Sequence, residues 1–494
     1  MGREFVPGKL PEDIFDYLYS LMPLEDAARA ACVSHGFLRS WRRYPRLVFN
    51  NKTLGVDRFW ETLKEDTLAS TDKQYGEQII ERYFVNKINH SLKNRSDSGV
   101  KAFILHLHPC PNMGASYIDK WLLFGLKPGI EELAFEMSIL KKRAEYNFPC
   151  SLLSNETGGS LQSLKLISCA FHPRTTLGCN KSWTSLYLRY VHITGEELGQ
   201  FVSNCDTLVR LLISRCDDIV CFRVPCVLHH LNHFHVTRCQ KLRVIEINAP
   251  KLSNFVCGDD LPQVSLGAEV KHITMMGSRP NTIRYARTKL PSFMPTVERV
   301  TVESLSEKVM TPMMPSKFLH LNYLNIYLVD VQLDRQDYFC LVSFLAASPV
   351  LETFILRVQT DNALRRDSVL DKAQLHLRQM PECSHHNLKN VMITRFTSAK
   401  SLIELTRHIV ENALALKCLT LDTAISCGRR TSAKTDKCWH MPEEGLREAQ
   451  KGVEAVRRCI EGIVVPSTNF KALEPCSECG CKGPTCSLCK GSSV

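Results

Sequence analysis

Leu208-Val209-Arg210-Leu211-Leu212-Ile213-Ser214-Arg215-Cys216 carries the pattern that organises this chain: apolar, two variable positions, apolar, one variable, apolar. The same spacing occurs at Leu161-Leu164-Leu166, Trp183-Leu186-Leu188, Leu231-Phe234-Val236 and Leu252-Phe255-Cys257. Starting at 161, 183, 208, 231 and 252, these copies lie 22, 25, 23 and 21 residues apart. Further copies stand at Val297-Val300-Val302, Leu321-Leu324-Ile326, Leu351-Phe354-Leu356 and Leu416-Leu419-Leu421. Short apolar/variable alternation is the signature of a half-buried strand, and its regular return signals stacked units rather than one core. Cys169, Cys216 and Cys239 follow at one common offset in their copies, where a small buried side chain fits a turn.

Helical signals lie between some of the strands. Thr194 with Glu197 reads as a capping box before Leu198, Phe201 and Val202, and Ser401 with Glu404 reads as another before Leu405, Ile409 and Val410. Asp337 is placed to cap a helix carrying Phe339, Val342 and Leu345. Leu242-Ile245-Ile247 begins only eleven residues after Leu231, which leaves room for a turn but no helix. The expected fold is α/β, a curved leucine-rich-repeat solenoid of irregular strand-turn-helix units. A flat all-β sandwich is the second choice, and the period of about twenty residues argues against it.

At 494 residues the chain exceeds what one hydrophobic core serves. Its net charge of +11 suits acidic partners without indicating nucleic acid. With no N-terminal apolar segment and no run of eighteen apolar residues, neither secretion nor a membrane span is expected. The 22 cysteines then read as reduced thiols of a cytoplasmic and/or nuclear protein.

Ahead of the repeats, Leu10-Pro11-Glu12-Asp13-Ile14-Phe15 opens a helix. Pro11 suits the first helical position, the two acids complement the dipole, and Ile14, Leu18 and Leu21 form one apolar stripe. Pro23 ends that helix, residues 24–32 form a second, and Ser34 caps a third running through Trp41. Three helices this short bury little by themselves, so the stripe is expected to face a partner. Acids come first (Glu12, Asp13, Asp16, Glu25, Asp26), then bases (Arg29, Arg39, Arg42, Arg43, Arg46).

The order Leu10-Pro11-x-Asp13-Ile14, Leu21-x-Pro23-Leu24-x-Asp26-Ala27-x-Arg29 and Val33-Ser34-x-x-Phe37 resembles an F-box. The resemblance implies docking on a Skp-type adaptor through Leu10, Pro11, Ile14, Leu18, Pro23, Leu24, Val33 and Phe37, and through it attachment to a cullin-RING ubiquitin ligase. Phe37 stands where tryptophan is usual and His35-Gly36 replaces a common basic residue and its neighbour, which implies weaker docking rather than none. The alternative is an ordinary helical cap on a solenoid. Tyr146-Asn147-Phe148-Pro149-Cys150-Ser151-Leu152-Leu153, Leu290-Pro291-Ser292-Phe293-Met294-Pro295 and Pro349-Val350-Leu351-Glu352-Thr353-Phe354 are similar to a plant F-box/leucine-rich-repeat group. Its grass members carry an FBD-like region similar to Asn387-Leu388-Lys389-Asn390-Val391 through Leu421. This likeness implies the non-catalytic substrate receptor of a Skp-cullin-F-box ligase. A scaffold without degradation, or a small-molecule sensor, is the alternative.

The resulting division is 1–50 F-box, 51–99 helical linker, 100–425 repeats with the FBD-like region, 426–441 basic loop, 442–464 capping helix and 465–494 Cys-rich tail. The capping helix presents Leu446, Ala449, Val453, Val456 and Ile460. In the tail, Cys476-x-x-Cys479 and Cys486-x-x-Cys489 offer four thiolates to tetrahedral zinc, although only six residues separate the pairs; a reduced tail is the other reading. Cys383-Ser384-His385-His386 is a weaker metal candidate and reads as a polar loop; His106 and His108 read as one strand face. No phosphate loop, Gly-x-Ser-x-Gly elbow or His-Glu-x-x-His helix is present, and no cofactor is required. Variable strand positions face away from the buried ones. Those chosen to bind an unknown protein target are Arg210, His233, His235, Arg299, Tyr323, Asn325, Tyr327 and Arg357, with Ser214, Thr301 and Thr353 beside them.

Overall fold

The three apolar residues of all nine copies are buried in the computed structural model, none more than 9% exposed. It describes residues 14, 17–18, 22, 24–33, 35–57, 59, 73–93, 95, 99–108, 110–139, 146–153, 159–173, 182–258, 263–277, 281–305, 309–330, 337–360, 368–371, 376–380, 383–423 and 443–475. The chain divides into two compact units, Met1–Leu252 with Leu261–Ala268 and Ser253–Asp260 with Glu269–Val494.

In the first unit, β1 (Arg46–Phe49), β2 (Ala102–His106), β3 (Glu132–Glu136), β4 (Ser163–Ile167), β5 (Ser185–Arg189), β6 (Arg210–Ser214) and β8 (His233–Thr237) pair in that order, all parallel. Equivalent positions stay in step: Leu164 pairs with Leu186, Leu186 with Leu211 and Leu211 with Phe234. A second parallel sheet joins β7 (Cys221–Val227) to β9 (Val244–Asn248) and β9 to β11 (Gln263–Ser265). The second unit runs β10 (Asn254–Cys257), β12 (His272–Gly277), β13 (Arg299–Leu305), β14 (Tyr323–Asp330), β15 (Thr353–Thr360), β16 (Asn390–Thr394), β17 (Cys418–Asp422) and β18 (Asn469–Leu473), again all parallel.

Nine α-helices have both ends among the described residues. In the first unit they are α1 (Leu24–Ala31), α2 (His35–Arg42), α3 (Lys73–Lys93), α4 (Ala115–Gly125) and α5 (Gly195–Ser203). In the second they are α6 (Thr282–Phe293), α7 (Val342–Ala347), α8 (Lys400–Asn412) and α9 (Glu443–Cys459). Each of α3 to α9 crosses between two parallel strands, as parallel pairing requires. Among the described residues no helix is long and apolar enough to cross a membrane.

Several local expectations change. Leu242-Ile245-Ile247 is not a compressed copy of the main strand: β9 stands in the second sheet, so here the unit carries a second strand where others carry a helix. The parallel ladder extends beyond residues 100–425, with β1 before α3 and β18 after α9. Helix α3 buries Ile80, Phe84, Ile88 and Leu92 at four-residue spacing, and α9, followed by β18, is a crossover rather than a terminal cap. The box at Thr194 forms with both reciprocal bonds, Glu197 N to Thr194 Oγ1 at 3.2 Å and Thr194 N to Glu197 Oε2 at 2.8 Å. The box at Ser401 does not form: Ala399 occupies the cap position, and the buried Glu404 carboxylate instead accepts from the Arg378 side chain and backbone N–H. Asp337 stands at a cap position without a cap bond and accepts from the same Arg378 at 2.7 and 2.8 Å.

The turn after the strand repeats in backbone as well as in sequence. Ser168, Tyr190, Arg215, Arg238 and Arg395 each directly follow a strand with φ between 52 and 59°. This left-handed conformation is costly for side chains other than glycine. Ladder bonds hold it, since Ser168 N donates to Arg189 O, Tyr190 N to Ser214 O and Arg215 N to Thr237 O. Next to it the Cys169 and Cys216 thiols are buried, and burial pushes Cys216 up to about 12, so neither is poised as a nucleophile.

In the second unit the segment 309–316 contains no helix and is fastened by Arg287 of α6. That side chain is 1% exposed and donates to Ser343 O at 2.8 Å, Met314 O at 3.0 Å and Ser316 O at 3.2 Å. Arg287→Leu strips partners from three carbonyls, at about 1–3 kcal/mol for each that stays dry. Chemical denaturation is expected to show a loss of about 3 kcal/mol; an unchanged midpoint would mean water replaces the guanidinium.

Candidate functional site

Two surfaces follow from this framework. The first is the N-terminal helical segment, in which Ile14, Tyr17 and Leu18 are helical and lead to α1 and α2. Tyr44 donates to Met22 O at 2.6 Å. Arg95, just past α3, donates to Trp41 O at 2.9 Å and Tyr44 O at 3.1 Å, with its guanidinium 4.5 Å over the Trp41 ring. Burial lowers the Arg95 pKa to about 10, which leaves it cationic. The helices are thus bolted to the start of the repeats in the same unit. Ile14 is 40% and Val33 75% exposed, Leu18 and Phe37 are half-buried, and Leu24 opens α1. Leu10, Pro11 and Pro23 lie outside the described residues.

The second surface is the strand face opposite the buried residues. In the first unit Arg210 is in register with His233, both exposed, and His235 lies two residues along β8 against Leu212. His235 Nε2 lies 3.0 Å from Thr237 Oγ1, and Thr237 donates to Ser214 Oγ at 3.3 Å; burial lowers the His235 pKa, keeping the ring neutral near pH 7. The face also holds residues that copy-matching did not nominate. Lys165 Nζ stands 5.4 Å over the Tyr187 ring and 3.9 Å from Glu136, whose other neighbour is His106 at 3.9 Å. Lys165 and Tyr187 are the variable positions inside the copies Leu161-Leu164-Leu166 and Trp183-Leu186-Leu188, and Glu136 follows the same alternation in Leu133-Ala134-Phe135 of β3.

In the second unit the nominated residues share one surface. Arg299 and Tyr323 are in register, the guanidinium 3.9 Å above the ring. Tyr327, further along β14, is in register with Arg357 of β15, and the Tyr327 hydroxyl donates to Gln359 Oε1. Asn325 occupies the row between, flanked by Thr301 and Ile355, and its Oδ1 is buried with no hydrogen-bond partner. Below it His272 Nδ1 donates to Asn254 Oδ1 at 2.9 Å. Two guanidinium groups, two phenol rings and a buried amide acceptor with no partner among the described residues make a surface able to hydrogen-bond and stack.

A third grouping brings together two residues from the loop that read as polar and one that sequence spacing did not suggest. Cys383 and His385 meet His408 of α8, with His385 Nε2 3.1 Å from His408 Nε2. Both rings are buried, and burial together with the neighbouring His408 pushes His385 down to about 4. His408 was missed because on a helix stripe it reads as core. The four tail positions Cys476, Cys479, Cys486 and Cys489 lie outside the described residues, as does 426–441.

Comparison with known proteins places this geometry among relatives. The family profile described as "At1g61320/AtMIF1, LRR domain" matches residues 91–477, more than three quarters of the chain. The chain is 22% identical over 431 residues to "Putative F-box/FBD/LRR-repeat protein At5g56810" of Arabidopsis thaliana, covering 84% of this chain and 88% of that one. It is 20% identical over 431 residues to "F-box/FBD/LRR-repeat protein At1g13570" of the same plant, covering 84% and 91%.

Proposed function

The chain belongs to the At1g61320/AtMIF1 leucine-rich-repeat-domain family, and on that premise we propose that it is the substrate-recognition subunit of a Skp-cullin-F-box ubiquitin ligase. Its relatives are named for an F-box and FBD as well as for repeats, and its own N-terminal residues carry the F-box order. In this reading the helical segment docks a Skp-type adaptor and the strand face holds a protein target in the cytoplasm and/or nucleus. The chain itself supplies no chemistry. It confines the target beside a ubiquitin-loaded enzyme, and proximity does the rest.

The unsatisfied Asn325 Oδ1 between the Arg299–Tyr323 and Tyr327–Arg357 pairs carries the reading of the strand face. A buried acceptor without a donor costs about 1–3 kcal/mol. That cost is recovered when the amide turns outward and a target places an N–H or O–H against it. Asn325→Leu is therefore expected to leave folding unchanged or firmer while weakening target capture at least about tenfold, and to leave adaptor binding untouched. The deciding experiment is co-precipitation of the full chain with a plant Skp-type adaptor, followed by comparison of the ubiquitinated partners of parent and Asn325→Leu. Failure to retain the adaptor would overturn the ligase reading; retained adaptor with identical partners would remove this face from target selection.

A further inference from the structure

Among the described residues one cluster of three soft or borderline metal ligands stands out, and it has no part in adaptor or target binding as proposed above. One ligand atom from each of Cys383, His385 and His408 lies within 4.8 Å of the other two, and the two Nε2 atoms are 3.1 Å apart. Imidazole nitrogens bound to zinc at about 2.05 Å in a tetrahedron lie about 3.3 Å apart, and a thiolate sulfur at about 2.3 Å lies about 3.6 Å from each. The nitrogen pair is thus already at ligand spacing, and the sulfur needs to close by about an ångström.

We propose that Cys383, His385 and His408 form a zinc site with water in its fourth position.

The surroundings suit such a site. His385 and His408 are 8% and 4% exposed, which holds both rings in place, while half-buried Cys383 provides the way in for the ion and its water. The second segment is held to the helix independently of any ion, because His385 N donates to Asn412 O at 2.9 Å. Phe339 packs edge-on to the His408 ring at 6.2 Å and fixes its orientation. Asn412 Nδ2 lies 3.4 Å from His408 Nδ1 and 2.8 Å from His408 O. The Asn412 amide thus donates to His408 O and braces the last turn of α8 beside the ring. Burial raises the Cys383 thiol pKa and the nearby Lys317 offsets part of that rise, while His386 stands by His385 and Glu411 by His408.

Without an ion, the two Nε2 atoms share one N–H···N bond, so one ring carries its proton at Nε2. On binding, that proton moves to Nδ1 of the same ring, both Nε2 lone pairs point at the ion, and the Cys383 thiol releases its proton to solvent. Both imidazoles stay neutral, and no electron is transferred.

Cobalt(II) tests this on the full chain with Cys476, Cys479, Cys481, Cys486 and Cys489 replaced by serine, so that the tail contributes no thiolate. After chelator treatment, titration is expected to show one equivalent bound, with tetrahedral d–d absorption and a thiolate-to-cobalt band, both abolished by one equivalent of zinc. Cys383→Ser should remove the thiolate band, and His408→Asn should weaken binding at least about tenfold. A measurement on the same chain without further substitution stands beside these: zinc should slow alkylation of Cys383, read by peptide mapping, at least about tenfold. An octahedral cobalt spectrum without the thiolate band, or a Cys383 alkylation rate indifferent to zinc, overturns the site.

Discussion

Ile14→Asp combined with Val33→Asp is expected to lower the affinity of the full chain for a Skp-type adaptor by at least about a hundredfold. Val33 is largely in water at 75% exposure and Ile14 reaches it at 40%, and neither belongs to the buried core. The helical segment that carries Ile14 and, in the turn between α1 and α2, Val33 is held from elsewhere, by Tyr44 on Met22 O and by Arg95 on the carbonyls of Trp41 and Tyr44. A loss of binding would therefore not be a loss of fold. Fully burying an aliphatic side chain contributes about 1.5–3 kcal/mol, and a carboxylate left unpaired in the same pocket adds a desolvation penalty. Two such positions exceed the roughly 2.7 kcal/mol that a hundredfold change requires. Immobilised adaptor titrated with parent and variant reads the effect directly, and circular dichroism checks that the helices persist. Equal affinities would place the docking face elsewhere or dismiss the F-box reading altogether.

What could be read in advance was whatever is local. The apolar spacing of Leu208-Leu211-Ile213 and its eight companions located nine main-sheet strands, because a strand's buried face is written into consecutive residues. The Thr194–Glu197 box was legible for the same reason, as it needs only four residues. What failed depended on a distant partner. Ser401 and Glu404 have the spacing of a cap, but the Arg378 guanidinium, 26 residues away, claims the carboxylate with short, charge-assisted bonds. Leu242-Ile245-Ile247 has the pattern of a main strand, and only the pairing of β9 with β7 assigns it to the second sheet. The strand-face residues follow from alternation, yet the rows shared by Arg299 with Tyr323 and by Tyr327 with Arg357 rest on the register between neighbouring strands. His408 joined Cys383 and His385 from a helix face that spacing marks only as core. Spacing shows which residues are buried; it does not show what they are buried against.

The second sheet shows what that limit means in energy. Helix α5 carries Gly195 and Gly199 one turn apart, and intrinsic propensity says that alanine at the mid-helix position would be better by about 1 kcal/mol. The structure predicts the opposite. A Cβ on Gly195 would stand 1.8 Å from Cys221 O, and one on Gly199 2.0 Å from Arg223 O. Both obstacles are backbone atoms of β7, which cannot swing aside as a side chain would. Cys221 and Arg223 pair in turn with Val244 and Glu246 of β9, so β7 cannot retreat without disturbing the ladder. Overpacking costs about 1–3 kcal/mol at each such position. Gly195→Ala with Gly199→Ala is expected to destabilise the first unit by about 3 kcal/mol net of the propensity gain. Because the chain has two units, the effect belongs in a local measurement. Hydrogen exchange should quicken at the amides of β7 and β9, while those of β14 and β15 keep their protection. Gln200→Ala, on the exposed side of the same helix, should stay within about 0.5 kcal/mol of the parent. If the double alanine variant were instead more stable, helix propensity would outweigh packing and the close approach of β7 to α5 would not exist in solution.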